Sequence, residues 1–210
     1  MGEIGPTRKV RSDKKRDVSP TIKWELKEAI SRLSFITNTK MKDSCSEMIS
    51  FATNDIEIIQ RLSVSFVRDV RFNDTMFRGH LDNIRFPRTD TGKCVRMHMR
   101  LVTHDFENLK TLAYALDLTP TRVSAILLDI CIHDFRFLNM YVQKYLSSEL
   151  TRPQMLEFRE MLKYINKNSN NEMTMAALLS AIVDEVKRPI APEPKPMGEL
   201  IVNHWRQPKQ

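Results

Sequence analysis

Three side chains that can hydrogen-bond to base edges occur at every second position in the middle of the chain: Arg96, His98 and Arg100. Arginine can donate to both acceptors on a guanine edge, and histidine can donate or accept a hydrogen bond. Side chains spaced two residues apart on a strand suit adjacent base pairs. We therefore take these three residues as candidate base-contacting residues.

The positions between these side chains are apolar. They are Val95, Met97, Met99 and Leu101. Alternation with a period of two over residues 94–101 predicts a half-buried β-strand, with the apolar side chains on a core and the basic side chains exposed. The four apolar residues are therefore expected to form the buried face of a ribbon.

Two helices are predicted after this strand. The first should run from about His104 to Asp117, and the second should begin at Pro120 and continue as far as Val142. Thr119 suits the N-cap of the second helix, and Pro120 suits its first position, where the missing N–H costs nothing.

The start of the second helix is a candidate phosphate-binding site. Its first backbone N–H groups are free and the helix dipole favours negative charge, so Thr119 and Thr121 are expected to contact a phosphate. The basic residues Lys93 and Arg122 are expected to add further contacts to the nucleic-acid backbone.

A single strand in a helical chain leaves backbone N–H and C=O groups without partners. The sequence offers no obvious second strand, so we expect the same strand of a second copy to pair with it, antiparallel, across a two-fold axis. A two-stranded ribbon has a width that fits the major groove of DNA. The predicted fold is therefore mainly α, with one short strand per chain paired across a homodimer and additional flanking helices.

Residues 94–132, CVRMHMRLVTHDFENLKTLAYALDLTPTRVSAILLDICI, resemble the ribbon-helix-helix superfamily, the fold of the methionine repressor and the Arc repressor. The resemblance rests on the strand-to-helix spacing and the apolar pattern, and it implies an obligate dimer bound to double-stranded DNA. The residues that it assigns to base contacts are Arg96, His98 and Arg100. The residues that it assigns to a phosphate clamp are Thr119, Pro120 and Thr121. The family often has a glycine before the second helix, where this chain has Asp117-Leu118.

The order of segments gives a second resemblance. A basic N-terminal arm, helices before the ribbon and helices after it are similar to the layout of AcaB-type regulators of conjugative plasmids and integrative elements. This resemblance implies transcriptional activation of transfer genes.

Charge and periodicity divide the chain into segments. The prediction is a disordered basic arm at 1–20, N-terminal helices at 21–72, a connecting segment at 73–92, the ribbon-helix-helix core at 93–147, a C-terminal helical pair at 148–187 and a proline-rich tail at 188–210. Within the N-terminal segment, helices are predicted at 21–38 and 44–70, the second capped by Asp43 or Ser44.

An internal repeat is an alternative to the homodimer. Residues 21–52 also contain a short alternation, a helix, a turn and a helix, so a ribbon could close within one chain. Trp24 and Leu26 can equally begin an ordinary amphipathic helix. We favour the ordinary helix, because Glu25 would place an acid on the DNA-facing side and the alternation is short.

Composition and motifs bound the chemistry. A net charge of +7 favours a polyanionic partner. The three cysteines are far apart, and the sequence has no glycine-rich phosphate loop and no HExxH motif. We therefore expect no enzymatic activity, no catalytic residue, no metal and no cofactor. Because no secretory signal or membrane span is evident, we expect a cytoplasmic, nucleoid-associated protein without a membrane partner.

The predicted function is that of a homodimeric, sequence-specific, double-stranded DNA-binding transcriptional regulator. Activation of conjugative-transfer genes is what the second resemblance implies, and RNA polymerase is a further candidate partner. Two alternatives stay open. One is an accessory DNA-binding protein of the relaxosome or of plasmid partition. The other is a helical protein-interaction module whose strand caps a core, which predicts no salt-sensitive DNA binding.

Overall fold

The computed structural model describes residues 15–72, 74–145 and 151–167. This part of the chain is mainly helical, with small antiparallel strand pairs. Its helices are α1 (Trp24–Ile36), α2 (Met41–Asn54), α3 (Ile56–Ser63), α4 (Thr103–Leu116), α5 (Pro120–Ile132), α6 (Phe135–Tyr145) and α7 (Arg152–Lys167). Its strands are β1 (Arg16–Val18), β2 (Thr21–Lys23), β3 (Val70–Phe72), β4 (Thr75–Phe77), β5 (Cys94–Arg96) and β6 (Met99–Leu101).

The strand segment predicted at 94–101 is extended and paired, but its partner lies in the same chain. β1 pairs antiparallel with β6, and β2 pairs antiparallel with β5. The register is the same in both ladders, so residues 16–23 and 94–101 form one two-stranded ribbon. The pairing predicted with a second copy is therefore wrong, because residues 16–23 satisfy the backbone groups that would have required it.

Each strand of the ribbon is followed by two helices at the same spacing. α1 begins at Trp24 and α4 at Thr103, which is 79 residues later. α2 begins at Met41 and α5 at Pro120, again 79 residues later. The backbone therefore contains the same strand-helix-helix unit twice. We call residues 16–54 the first unit and residues 94–132 the second unit.

The turns inside the two units also correspond. Asn38 has a φ of 51° and Asp117 a φ of 55°, and both lie between the two helices of their unit. They too are 79 residues apart. Apart from glycine, asparagine and aspartate tolerate this left-handed conformation best. Asn38 and Asp117 therefore close the turns of their units without a glycine.

The two units interlock around one core. α2 packs on β6 and on α5, and α5 packs on β2, so each second helix contacts the strand of the other unit. The buried positions follow the repeat. In α2 they include Ser44, Cys45, Met48, Ile49, Ala52 and Thr53, and in α5 the corresponding residues Val123, Ser124, Leu127, Leu128, Cys131 and Ile132 are buried. The ordinary helix that we favoured at Trp24 does form, but a strand precedes it and completes the internal repeat.

The remaining helices and strands differ from the prediction in the residues at which they begin and end. The helix predicted at 44–70 begins earlier, at Met41, and is divided at Asp55, whose carboxylate accepts a hydrogen bond from Ile58 N (3.0 Å) and caps α3. Residues 15–20 of the predicted disordered arm are ordered, and β3 and β4 form a hairpin across the predicted boundary at residue 73.

The long second helix predicted in the core is also divided. α5 ends at Ile132, and Asp134 accepts hydrogen bonds from the backbone N–H groups of Arg136 (2.9 Å) and Phe137 (3.4 Å), which starts α6. α7 occupies the place of the first predicted C-terminal helix. The second of that pair, the proline-rich tail and residues 1–14 lie outside the described residues. Among the described helices, none has both the length and the apolar composition that a membrane crossing requires.

Pairing within the chain predicts a stability cost when the buried face of β2 is truncated. Ile22 is fully buried, so Ile22→Ala should lower the free energy of unfolding by about 2–4 kcal/mol in urea titrations. The matched control is Ile56→Ala, because Ile56 is 41% exposed. Equal and small losses for the two variants would show that residues 16–23 do not pack on the core.

Asp134 predicts a pH-dependent contribution to stability. Burial alone would raise the pKa of this carboxyl, but hydrogen bonds from Arg136 and Arg61 outweigh burial and lower it. A lowered pKa in the folded state means that the stabilisation is complete above the ordinary pKa of about 4 and is lost as the pH falls through the folded value.

Asp134→Asn should therefore cost about 1–2 kcal/mol at neutral pH, and the difference from wild type should shrink below about pH 4. Denaturant titrations at several pH values measure this difference. Asp74→Asn is the control, because the Asp74 side chain is fully exposed. A difference from wild type that does not change with pH would contradict the assignment.

Candidate nucleic-acid interface

The outer face of the ribbon carries three central cross-strand pairs of polar side chains, and Lys23 opposite Cys94 follows them at one end. Arg96 lies opposite Thr21, and Arg100 lies opposite Asp17. His98 and Ser19 are opposite each other between the two ladders, and a hydrogen bond of 2.7 Å joins the Ser19 Oγ and His98 Nδ1 atoms. All six residues of the central pairs except the half-buried Ser19 are exposed. The three predicted base-contacting residues therefore share one exposed face.

The inner face of the ribbon is apolar. Met97, Met99 and Leu101 are buried in the core, and Val95 is partly buried against it. Val18 and Ile22 of the partner strand are buried on the same side. Because side chains alternate along a strand, this burial fixes the orientation of the polar face toward the outside.

Arg100 is the one outer-face arginine with an ion pair in the described residues. Its Nε lies 2.8 Å from Asp17 Oδ1, and the two side chains are 70% and 73% exposed. An exposed pair of this kind contributes little to stability. Its effect is to orient the Arg100 guanidinium and to place a carboxylate on the outer face.

Arg96 and His98 have different surroundings. Among the described residues no ion pair involves Arg96, whose cross-strand neighbour Thr21 is uncharged. The His98 ring uses Nδ1 for Ser19, so its Nε2 remains to donate to or accept from a ligand, according to the tautomer. The outer face therefore offers one arginine next to a threonine, one held by a carboxylate, and a histidine between them.

The start of α5 has the cap that the sequence predicted. Thr119 Oγ1 accepts a hydrogen bond from Arg122 N at 3.2 Å, and Pro120 occupies the first helical turn. Thr121 is exposed, and its hydroxyl lies 3.0 Å from that of Thr119. Thr119, Pro120 and Thr121 are thus placed at a helix start on the surface.

The two predicted basic phosphate contacts are placed differently. Arg122 is engaged inside the protein: its side chain is 10% exposed, and it forms an ion pair with Asp90 at 2.7 Å and donates to Pro87 O at 2.9 Å. Arg122 therefore fixes the connecting segment to α5, and its guanidinium is held by Asp90 and Pro87 instead of being presented for a phosphate contact. Lys93 is exposed at the end of the ribbon, with Nζ 4.4 Å from the centre of the Trp24 ring.

Trp24 forms a basic aromatic cluster at that end of the ribbon. The Lys27 Nζ lies 4.5 Å from the ring centre, so the ring has two lysines within cation–π distance. Trp24 N also donates to Lys93 O at 2.9 Å, which ties the first turn of α1 to the residue before β5. Cations at this place can contact phosphates beside the groove that the ribbon would occupy.

Sequence reasoning missed the contribution of the first unit. Asp17, Ser19 and Thr21 belong to the outer face, and Lys40 and Lys42 are exposed at the start of α2, at positions equivalent to Thr119 and Thr121. The apolar residues Val18, Pro20 and Ile22 alternate with Asp17, Ser19 and Thr21, and this alternation is a signal that could have revealed the strand. Pro20 concealed it, because proline lacks the N–H of a ladder residue. Here Pro20 only accepts, from Met97 N at 2.9 Å.

In the described part of the chain, no group of three or more His, Cys, Asp or Glu side chains is arranged to hold a metal ion. Comparisons with protein-family models, curated proteins and solved structures found no match to this chain.

Proposed function

We propose that the chain binds double-stranded DNA with the outer face of its intrachain ribbon, as a ribbon-helix-helix unit built from one polypeptide. One observation carries this proposal. Residues 94–101 are extended and paired, with their apolar side chains in the core and with Arg96, His98 and Arg100 exposed together. A two-stranded ribbon of this kind fits the major groove, where arginine is the commonest side chain bound to guanine.

The helix starts support the same orientation on DNA. α2 and α5 follow the ribbon at equivalent positions in the two units. Ser46, in the second turn of α2, donates to the backbone oxygen of Arg100 at 3.0 Å, so this helix start lies beside the ribbon. A phosphate on each side of the groove would meet Lys40 and Lys42 on one side and Thr119 and Thr121 on the other.

Within DNA-binding proteins, we propose transcriptional regulation as the role, with activation of conjugative-transfer genes as its specific form. A regulator of this kind acts at the nucleoid in the cytoplasm and can contact RNA polymerase. The alternative is an accessory protein of plasmid transfer or partition. Mapping of bound genomic fragments separates the two, because a regulator occupies promoters whereas an accessory protein occupies an origin or a partition site.

Arg96→Ala tests the base-contacting face. It should weaken binding to the selected DNA site by about 1–3 kcal/mol and relax the preference at one base pair, because a bidentate contact to guanine is lost. Fluorescence anisotropy titrations on the selected site and on its single-base variants measure both effects.

The matched control for Arg96→Ala is Arg71→Ala in the β3–β4 hairpin. The Arg71 side chain is 73% exposed, so both variants remove one exposed positive charge. If the two variants lost affinity equally and kept the same base preference, Arg96 would be acting only through charge and the assigned face would be wrong.

Thr121→Glu tests the phosphate contact. It should weaken binding to all DNA sequences alike, by about five- to tenfold at about 0.1 M salt, because the new carboxylate repels a phosphate at the start of α5. An acid in the first turn favours the helix, so a loss of binding would not reflect unfolding.

The control for this variant is Thr75→Glu, at an exposed threonine of β4. Competition titrations with specific and nonspecific duplexes provide the readout. Unchanged affinity of Thr121→Glu for both duplexes would remove α5 from the interface. Absence of any salt-sensitive DNA binding by the wild-type chain would leave the helical protein-interaction module as the better description.

A further inference from the structure

We infer that a single chain recognises a non-palindromic DNA site and binds it in one orientation. This inference rests on the proposed DNA binding and specifies the class of site. It follows from a ribbon whose backbone is nearly two-fold symmetric while its outer side chains are not.

The symmetry of the ribbon backbone follows from its register. Ser19 and His98 face each other across the ribbon, and they are also equivalent by the 79-residue repeat. An approximate two-fold axis of the ribbon therefore passes between them. The same operation exchanges the two ladders, because β1–β6 pairing and β2–β5 pairing keep one register.

The outer side chains break this symmetry at every position. Rotation about this axis superimposes the position of Asp17 on that of Arg96, Ser19 on His98, and Thr21 on Arg100. A homodimer would present identical side chains at such positions and would suit a palindromic site. Arg96, His98 and Arg100 all come from the second unit, whereas the first unit contributes Lys23, whose equivalent in the second unit is Val102.

The two ends of the ribbon consequently differ in hydrogen-bonding chemistry. One end presents Arg96 with Thr21, which together offer donors and a hydroxyl. The other end presents Arg100 with Asp17, and the Asp17 carboxylate can accept a hydrogen bond from the amino group of cytosine. Rotating the chain by 180° on the same DNA would exchange these ends and mismatch the bases. Each mismatched base pair would lower the binding affinity roughly 5- to 100-fold.

Contacts beside the groove are unequal as well. The cluster of Lys27 and Lys93 around Trp24 belongs to one end of the ribbon. In the second unit, the positions equivalent to Trp24 and Lys27 are Thr103 and Phe106. The start of α2 presents lysines where the start of α5 presents threonines. Orientation on DNA is therefore favoured by both base contacts and backbone contacts.

Tethered cleavage measures this orientation directly. The experiment uses the full-length chain with Cys94→Ser, a substitution that removes the half-buried thiol at the ribbon. The other two cysteines, Cys45 and Cys131, are buried. Burial raises the pKa of the Cys45 thiol to about 12, which suppresses its labelling. Lys42→Cys or Thr121→Cys is then added, at equivalent positions of α2 and α5, and each is coupled to an iron chelate that cleaves nearby DNA.

The DNA probe comes from selection on a random duplex library, shortened until a single footprint remains. We expect one bound chain, a non-palindromic consensus, and cleavage by each conjugate on one flank only, with the two conjugates cutting opposite flanks. Asp17→Thr makes the two ends more alike, so we expect it to reduce the preference for one flank several-fold.

Specific binding with a palindromic consensus, or equal cleavage of both flanks by each conjugate, would overturn the inference while leaving the proposed DNA binding intact. A requirement for two chains on the shortened duplex would also overturn it. Failure to select any bound sequence would overturn both proposals, so the two kinds of failure can be distinguished.

Discussion

The structure depends on the backbone hydrogen bonding of one strand. Residues 94–101 have an apolar face that must be buried and backbone groups that must be paired, and helices alone cannot supply the pairing. Residues 16–23 of the same chain provide it along the whole ribbon. Once the ribbon is closed, α2 and α5 can cover its apolar face from the two units, and the core extends continuously between them. A closed ribbon is also independent of protein concentration, unlike one that is shared between two copies.

The two units have one backbone plan but different interiors. In the first unit, Thr39 and Ser44 form hydrogen bonds with the hydroxyl of Tyr141 from α6. At the equivalent positions the second unit has the apolar residues Leu118 and Val123. Buried hydroxyls need partners, whereas apolar side chains do not, so the hydrogen bonds of Tyr141 to the first unit have no counterpart on the second unit. The asymmetry of the outer face therefore accompanies an asymmetry of the core.

Placing both strands in one chain has a consequence for recognition. Two copies of one strand impose identical outer faces, so any useful change at one end of the ribbon is repeated at the other. An internal repeat removes that constraint, because Asp17 and Arg96 can differ although their backbone positions are equivalent. In the proposed DNA binding, the ribbon is formed beforehand, so binding would not include the entropic cost of bringing two chains together. These properties are consistent with the proposed binding to a DNA site in one orientation.

The sequence by itself determined the features that depend on neighbouring residues. Alternation at 94–101 set the strand and its two faces, and Thr119-Pro120 set the start of α5, since periodicity and capping act over a few residues. Only the tertiary structure decided the partner of the strand, because a pairing across about eighty residues leaves no local signal and Pro20 conceals the second strand. It likewise decided that Arg122 turns to Asp90 and that the helices break at Asp55 and Asp134. These outcomes depend on which distant groups lie within hydrogen-bonding reach once the core has packed.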